Sequence, residues 1–259
     1  MNDSLQNTSC LFEGMTSINA VFSGIDQGHN DRQIEKIFFD RTKLSSKSRT
    51  YRFLESKANV YHYELILSDP DDISKLSSGK THGGILAQCS LRTIPSIKES
   101  RPDGSFWAFI EGVEDPYNFG SSIRSLYAAG VNGIVLSERN WMETAGIVCR
   151  ASAGASEILP LYKGSVEDIV RTFKECGFSI VCAGIRDSVS MTEANLTYPL
   201  LLVVGGEKRG ISSHLIQNAS QIVRIDYGRT FNGSLDTASS VAVLAFEILR
   251  QNNSSERTE

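Results

Sequence analysis

From residue 106 onward the chain keeps one rhythm: a short apolar run, a glycine or polar turn, then a segment with helical spacing of its apolar residues. The runs at 106–110, 133–136, 178–183 and 200–204 show no regular alternation of polar and apolar positions. Strands of that kind are buried on both faces, and when helices separate them the sheet is parallel and covered on both sides. The expected fold class is therefore α/β. Helices are expected at 120–129, 144–151, 166–176 and 239–250, with further extended segments at 158–162 and 222–225. Gly177 stands where a helix C-cap belongs.

A polar stretch at 96–105, bearing Pro102 and Gly104, breaks the composition and reads as a linker. It divides the chain into a first domain at 1–95, the linker at 96–105 and a second domain at 106–259. Within the first domain, residues 17–91 alternate helix and strand patterns, with strands expected at 64–68 and 84–89. That suffices for a small α/β unit near the lower limit of independent folding.

The 259-residue chain is 41% hydrophobic and 22% charged, ordinary values for a water-soluble protein. No apolar run is long enough to cross a bilayer, and residues 1–10 lack a signal-peptide pattern. A cytoplasmic protein with no membrane partner is expected. Cys10, Cys89, Cys149, Cys176 and Cys182 are odd in number and widely spaced, so they read as small buried residues. The four histidines are scattered, and no metal site is expected. Net charge is −4, yet residues 32–57 carry eight basic side chains against three acidic ones, with Phe38, Phe39, Tyr51 and Phe53 interleaved. Such a stretch is either a solvated face or a surface for phosphates and bases; Arg41, Lys43, Lys47, Arg49 and Arg52 are its candidate RNA contacts.

Three segments place glycines and isolated polar residues at the ends of expected strands, where an open α/β sheet keeps its ligand crevice. The first runs from Asp115-Pro116-Tyr117-Asn118-Phe119-Gly120 to Arg124. Asn118 falls where it can cap a helix beginning near Gly120, and Arg124 falls on that helix's first turn, suited to holding a phosphate or polarising a hydroxyl. The second is Gly205-Gly206-Glu207-Lys208-Arg209-Gly210-Ile211, where adjacent glycines permit a sharp turn and a placed carboxylate follows. Its late position and adjacent glycines exclude a dinucleotide fingerprint. The third, 225–236, leads into the last helix, with Ser234 or Asp236 as N-cap and free N–H groups beside it.

In this order and spacing the segments resemble the three motifs of the SpoU (TrmH-type) RNA ribose 2′-O-methyltransferases, within the SPOUT class. Asp115, Pro116, Asn118, Gly120 and Arg124 match the first motif. Gly205, Glu207, Gly210 and Ile211 match the second, and Ser234-Leu235 the third. Ala151-Ser152-Ala153-Gly154-Ala155 is also similar to the family, and 17–88, ending in Thr81-His82-Gly83-Gly84-Ile85, resembles its ribosomal-protein-like RNA-binding domain. The resemblance implies a C-terminal trefoil knot and a homodimer. It also implies S-adenosylmethionine held by backbone groups near Val204, Gly205, Gly206, Glu207, Ile225, Ser234 and Leu235. The third motif departs from the family's usual Ser-Leu-Asn by carrying Asp236, which accepts hydrogen bonds but cannot donate them when ionised.

The reaction implied is methylation of a ribose 2′-hydroxyl, in ribosomal RNA ahead of tRNA. Arg124 would activate the hydroxyl electrostatically, Asn118 would position Arg124 and the ribose, Glu207 would fix Arg124 or the nucleotide, and Ser234 and Asp236 would complete the site. The competing reading is an RNA-binding protein that keeps the fold without activity, motivated by Asp236.

Overall fold

The structure, a computed structural model, describes residues 9–137, 144–206 and 208–255. In chain order the first elements are β1 (Ser9–Glu13), α1 (Gly14–Asp26), β2 (Ile34–Asp40), α2 (Ser48–Tyr61), β3 (Glu64–Ser68), α3 (Pro70–Leu76) and β4 (Ile85–Ser90). After them come β5 (Phe106–Glu111), α4 (Pro116–Ala128), β6 (Gly133–Leu136), α5 (Ala145–Ala151), α6 (Ala155–Ile158), β7 (Leu161–Lys163), α7 (Val166–Glu175) and β8 (Ser179–Ala183). The chain closes with β9 (Val189–Ser190), β10 (Leu200–Gly205), α8 (Ser213–Asn218), β11 (Gln221–Arg224) and α9 (Thr237–Ser255).

These elements form two compact units, one of residues 1–93 and 140–158, the other of residues 94–139 and 159–259. In the first, a four-stranded sheet in the order β1, β4, β2, β3 is mixed: β2 and β3 are parallel, and the other pairs are antiparallel. Phe12, Ile18, Ile37, Phe39, Leu54 and Cys89 fill its core. Residues 144–158, which lie beyond the expected linker in sequence, belong to this unit because α5 packs on β1 and α6 on α1. Their attachment is electrostatic at its centre. Arg32 Nε meets Glu157 Oε2 at 2.7 Å with side chains 2% and 3% exposed, and Asn30 Nδ2 donates to the same oxygen at 2.6 Å. The buried Arg92 adds a bond from Nη1 to the carbonyl of Ser156 at 2.8 Å.

The second unit is a seven-stranded parallel sheet in the order β7, β6, β5, β10, β8, β11, β9. Its central strand is the apolar run 200–205, hydrogen-bonded to β5 on one side and β8 on the other, with Leu201 opposite Trp107 and Val203 opposite Phe109. Because successive side chains point to opposite faces, Trp107, Phe109, Ile180, Cys182, Leu201 and Val203 share one core with Ile169 and Phe173 of α7. On β10, Leu200, Leu202 and Val204 take the other face and are also buried; α9 packs on this strand and on α4. Each such fully buried aliphatic or aromatic side chain contributes about 1.5–3 kcal/mol. The stretch at 96–105 carries Ile97, which is fully buried in this same core, and Lys163 N donates to Pro95 O at 2.9 Å.

Two boundaries differ from expectation. Helix α4 begins at Pro116, not near Gly120, because the Asp115 carboxylate accepts from Tyr117 N at 2.7 Å and proline suits the first helical position. The extended segment expected at 158–162 is shorter, since 155–158 is a helical turn and the strand occupies 161–163. All five cysteines are free thiols, four of them buried, and burial pushes Cys10 up to about 11 and Cys182 up to about 12. Among the described residues no helix is long and apolar enough to span a membrane, and no cluster of His, Cys, Asp or Glu is arranged to hold a metal ion.

Glu157→Ala would leave the Arg32 guanidinium buried without its counter-ion, a loss of about 3–5 kcal/mol. Urea denaturation followed by circular dichroism is expected to show this as a lower unfolding free energy.

Candidate active site

The three motif segments lie at the carboxyl ends of the parallel strands, beside the point where the strand order switches direction between β5 and β10. Hydrogen bonds to backbone groups tie the strand ends and the helix start together. Gly206 N donates to Glu111 O at 2.6 Å, and Ser212 N donates to Glu111 Oε2 at 2.7 Å, so the end of β5 holds both sides of the 206–212 loop. Thr237 Oγ1 donates to Gly205 O at 3.3 Å, tying the start of α9 to the same loop. The glycines serve this convergence. A Cβ on Gly206 would stand 2.4 Å from Gly112 O, and one on Gly205 would stand 2.4 Å from the carbonyl carbon of Gly210. Their role in the described structure is thus close packing of loop on loop.

Asp236 immediately precedes α9 and caps it. Its Oδ1 accepts from Ser239 N at 2.6 Å, and its carbonyl accepts from Ser240 N at 3.0 Å. This is an acceptor's task, which an aspartate performs as well as the amide oxygen of an asparagine. The departure from Ser-Leu-Asn therefore leaves the helix start intact. Upstream, Leu235 N donates to the Tyr227 hydroxyl at 3.1 Å, and Tyr227 packs edge-on against Phe231. The preceding turn is held by Asp226, which takes Arg224 Nε at 2.8 Å and the Ser190 hydroxyl. The Ser190 hydrogen bond, then Arg224, keep the Asp226 carboxyl below the usual carboxylate range.

Of the residues expected at the site, Val204, Gly205 and Gly206 and the start of α9 after Asp236 are drawn together. Ile225 follows β11 and is half-buried, while Ser234 and Leu235 are exposed. Glu207 lies outside the described residues. The early start of α4 corrects two placements. Asn118 is the third residue of the helix and not its cap, and Arg124 is the ninth, on the third turn and not the first. They stand about 120° apart around the helix axis. Arg124 instead shares an outward stripe with Tyr117 and Ser121, on a helix packed against α9.

Sequence reasoning assigned no role to Glu111 and Thr237, which bind the loops to one another, or to Tyr227, which braces the 225–236 loop internally. Glu111 carried a signal in being the only charged residue in an otherwise apolar strand. The loop at 225–236 fits the adenosine end of S-adenosylmethionine in its chemistry. It presents backbone groups between the exposed apolar surfaces of Tyr227, Phe231 and Leu235, and the arginine nearest to it on β11 is already paired with Asp226.

The glycine-bearing loops gathered at the switch point of the parallel sheet, ahead of a capped C-terminal helix, place the site where open α/β folds bind their ligands. Residues 105–246 match the model of the SpoU rRNA methylase family, and the chain belongs to that family. It is similar to the 23S rRNA (guanosine-2′-O-)-methyltransferase RlmB of Nitrosomonas europaea, with 27% identity over 90% of each chain. Among solved structures, the AdoMet-bound rRNA methyltransferase of Sinorhizobium meliloti superposes with a TM-score of 0.79 at 20% identity, covering 95% of this chain and 88% of that one. The SpoU methyltransferase AviRb of Streptomyces viridochromogenes, in complex with AdoMet, superposes with a TM-score of 0.76 at 19% identity, covering 97% and 94%.

Asp236→Asn is expected to change thermal stability little, whereas Asp236→Ala should cost about 1 kcal/mol by removing the cap. Differential scanning calorimetry of the two variants checks the assignment, with equal losses in both counting against a capping role.

Proposed function

We propose that this protein transfers a methyl group from S-adenosylmethionine to a ribose 2′-hydroxyl of ribosomal RNA. The observation that carries the reading is that the strand ends and helix start bearing the three family motifs are joined by hydrogen bonds through Glu111, Gly206 and Thr237. The similarity to RlmB supports ribosomal RNA ahead of tRNA as substrate. The capping role of Asp236 supports an active enzyme over a methylation-deficient RNA-binding relative.

A ribose hydroxyl is a weak nucleophile at neutral pH, so catalysis requires alignment and stabilisation of the oxygen as its proton leaves. Bound S-adenosylmethionine supplies an electrophilic methyl group, held by backbone groups near Val204, Gly205, Gly206, Ile225, Ser234 and Leu235. Arg124 is the electrostatic activator. A guanidinium stays protonated, and from the exposed stripe of α4 it orients the hydroxyl and favours its alkoxide. Asn118, in the first turn of the same helix, contacts the nucleotide, and Ser234 orders the loop before the Asp236 cap. Glu207 completes the second motif.

A homodimer goes with this reading, supported by Tyr117 and Tyr127 on α4 and Phe246 on α9, exposed by 53%, 47% and 49%. The insertion of β10 between β5 and β8 is compatible with the family's C-terminal knot. The first unit, joined by the described residues of α5 and α6, acts in RNA recognition and the second unit, from Ile94 onward, as the methyltransferase domain, in a cytoplasmic protein. In the basic stretch, Arg41 is paired with Asp69 at 3.2 Å and Lys43 with Asp40 at 3.6 Å. Arg49 and Arg52, three residues apart and exposed on α2, are the better RNA contacts.

Arg124→Ala is expected to abolish methyl transfer to ribosomal RNA in a radiolabelled methyl assay while calorimetry shows S-adenosylmethionine binding nearly unchanged; retained turnover would reject the role. Reversing Arg49 and Arg52 to glutamate should weaken RNA binding and lower the slope of log K against log salt by about 1 per phosphate contact removed, as read by fluorescence anisotropy.

A further inference from the structure

The loop that follows β10 is not held by the helix it leads into. Ser212 stands at the N-cap position of α8 with extended backbone, φ −63° and ψ 150°, yet its side chain makes no capping hydrogen bond. An N-cap serine ordinarily accepts from the first free amides of its helix. Here the hydroxyl is buried and has no hydrogen-bond partner. What fixes this end of the loop comes from another strand. Glu111 Oε2 accepts from Ser212 N at 2.7 Å, a carboxylate bonded to a backbone donor. The Glu111 carbonyl accepts from Gly206 N at 2.6 Å. One residue thus receives both ends of the 206–212 loop.

The loop also closes on itself and on the turn after β5. Gly210 N donates to Gly206 O at 3.1 Å, and the two glycines form an isolated antiparallel bridge. A Cβ on Gly206 would stand 2.4 Å from Gly112 O, so the 112–115 turn lies directly against the loop. Lys208 Nζ meets Glu114 Oε2 at 2.5 Å across the same two segments, but both side chains are exposed and such a pair contributes little. The half-buried Glu111 makes the firmer tie, because its partner is a backbone group whose place is fixed by the chain. Glu111 is moreover the last residue of β5 and opens the turn that leads into α4, which carries Asn118 and Arg124. Losing its carboxylate would change the spacing between the loop after β10 and that helix. At a reacting centre a displacement of about 1 Å is enough to cost roughly a hundredfold in rate.

We infer that Glu111 is a positioning residue for methyl transfer: through Ser212 N it sets the loop after β10 against the turn into α4, and with it the pose in which that loop holds S-adenosylmethionine. The inference rests on the RNA methyltransferase reading. Glu111 acts through the loop and not on either reactant. Its role is that of an acceptor, so an amide oxygen of the same reach can replace the carboxylate.

The test compares the full-length protein with Glu111→Ala, Glu111→Gln and Ser212→Pro. Glu111→Ala should raise both the KM for S-adenosylmethionine and its calorimetric Kd roughly tenfold, as loss of one charge-assisted hydrogen bond implies. Its kcat should fall as well, while the KM for RNA stays put. Glu111→Gln should restore all three. Hydrogen exchange of the Ser212 amide, read by ¹⁵N NMR, should quicken in Glu111→Ala and not in Glu111→Gln. Ser212→Pro removes the donor at a φ that proline accepts, and should shift the cofactor KM in the same direction. Combined with Glu111→Ala it should add nothing further, because the two changes break one bond. A cofactor KM and Kd unmoved in Glu111→Ala, with only the melting temperature lowered, would mark a structural role and overturn the inference. So would Glu111→Gln behaving like Glu111→Ala, or additive effects in the double variant. A wild type that methylates RNA while Glu111→Ala matches it rejects Glu111 alone. A wild type that binds S-adenosylmethionine without methylating RNA rejects the enzymatic reading, and the Kd values then still decide the role of Glu111.

Discussion

Everything at the candidate active site depends on how closely three loops approach one another at the end of β10. That strand is apolar on both faces and paired on both edges, so its position is set by burial and by two ladders of backbone hydrogen bonds. It ends in Gly205 and Gly206, and the absence of a side chain lets the loop touch Gly112 and turn back on Gly210. Glu111 and Thr237 then lock the arrangement through hydrogen bonds to backbone groups. A methyl group at either glycine would separate the loops that meet at the end of β10.

The two units solve the placement of charge differently. In the first, Arg32, Glu157 and Asn30 form a buried cluster joining the 140–158 segment to the α1 region. Desolvation makes such a cluster expensive to break but a poor source of net stability. The second unit has the half-covered Glu247–Arg250 pair on α9 and exposed pairs such as Lys208–Glu114 at 2.5 Å, a type of contact that contributes little.

The third motif shows how a substitution can be chemically distinct and architecturally silent. Aspartate differs from asparagine by lacking donors, but the α9 start asks only for an acceptor facing Ser239 N. The charge also lies at the amide end of a helix, where a negative group is favoured.

Much of the second unit was legible in the sequence because its strands are continuous apolar runs and its helices have clear apolar faces. The runs beginning at Phe106, Gly133 and Leu200 became strands at those residues, and the parallel arrangement followed from burial on both faces. The three motifs were equally legible, since glycine and isolated polar residues at strand ends leave a local signature. The start of α4 was encoded in Asp115-Pro116, an N-cap followed by a first-turn proline, but a turn uses the same pair. Other features had no local signal. The short strands β1 and β9 owe their existence to neighbours, and the membership of residues 144–158 in the first unit arises from Glu157 meeting Arg32 across 125 positions of chain. The sequence by itself determined the α/β class and the residues available for chemistry, because periodicity and glycine placement act over a few residues. Only the tertiary structure decided which residues meet: Gly206 with Gly112, Thr237 with Gly205, and Lys47 with the loop carrying His82. Long-range burial and hydrogen-bond geometry select such partners, and neither is written in any single segment.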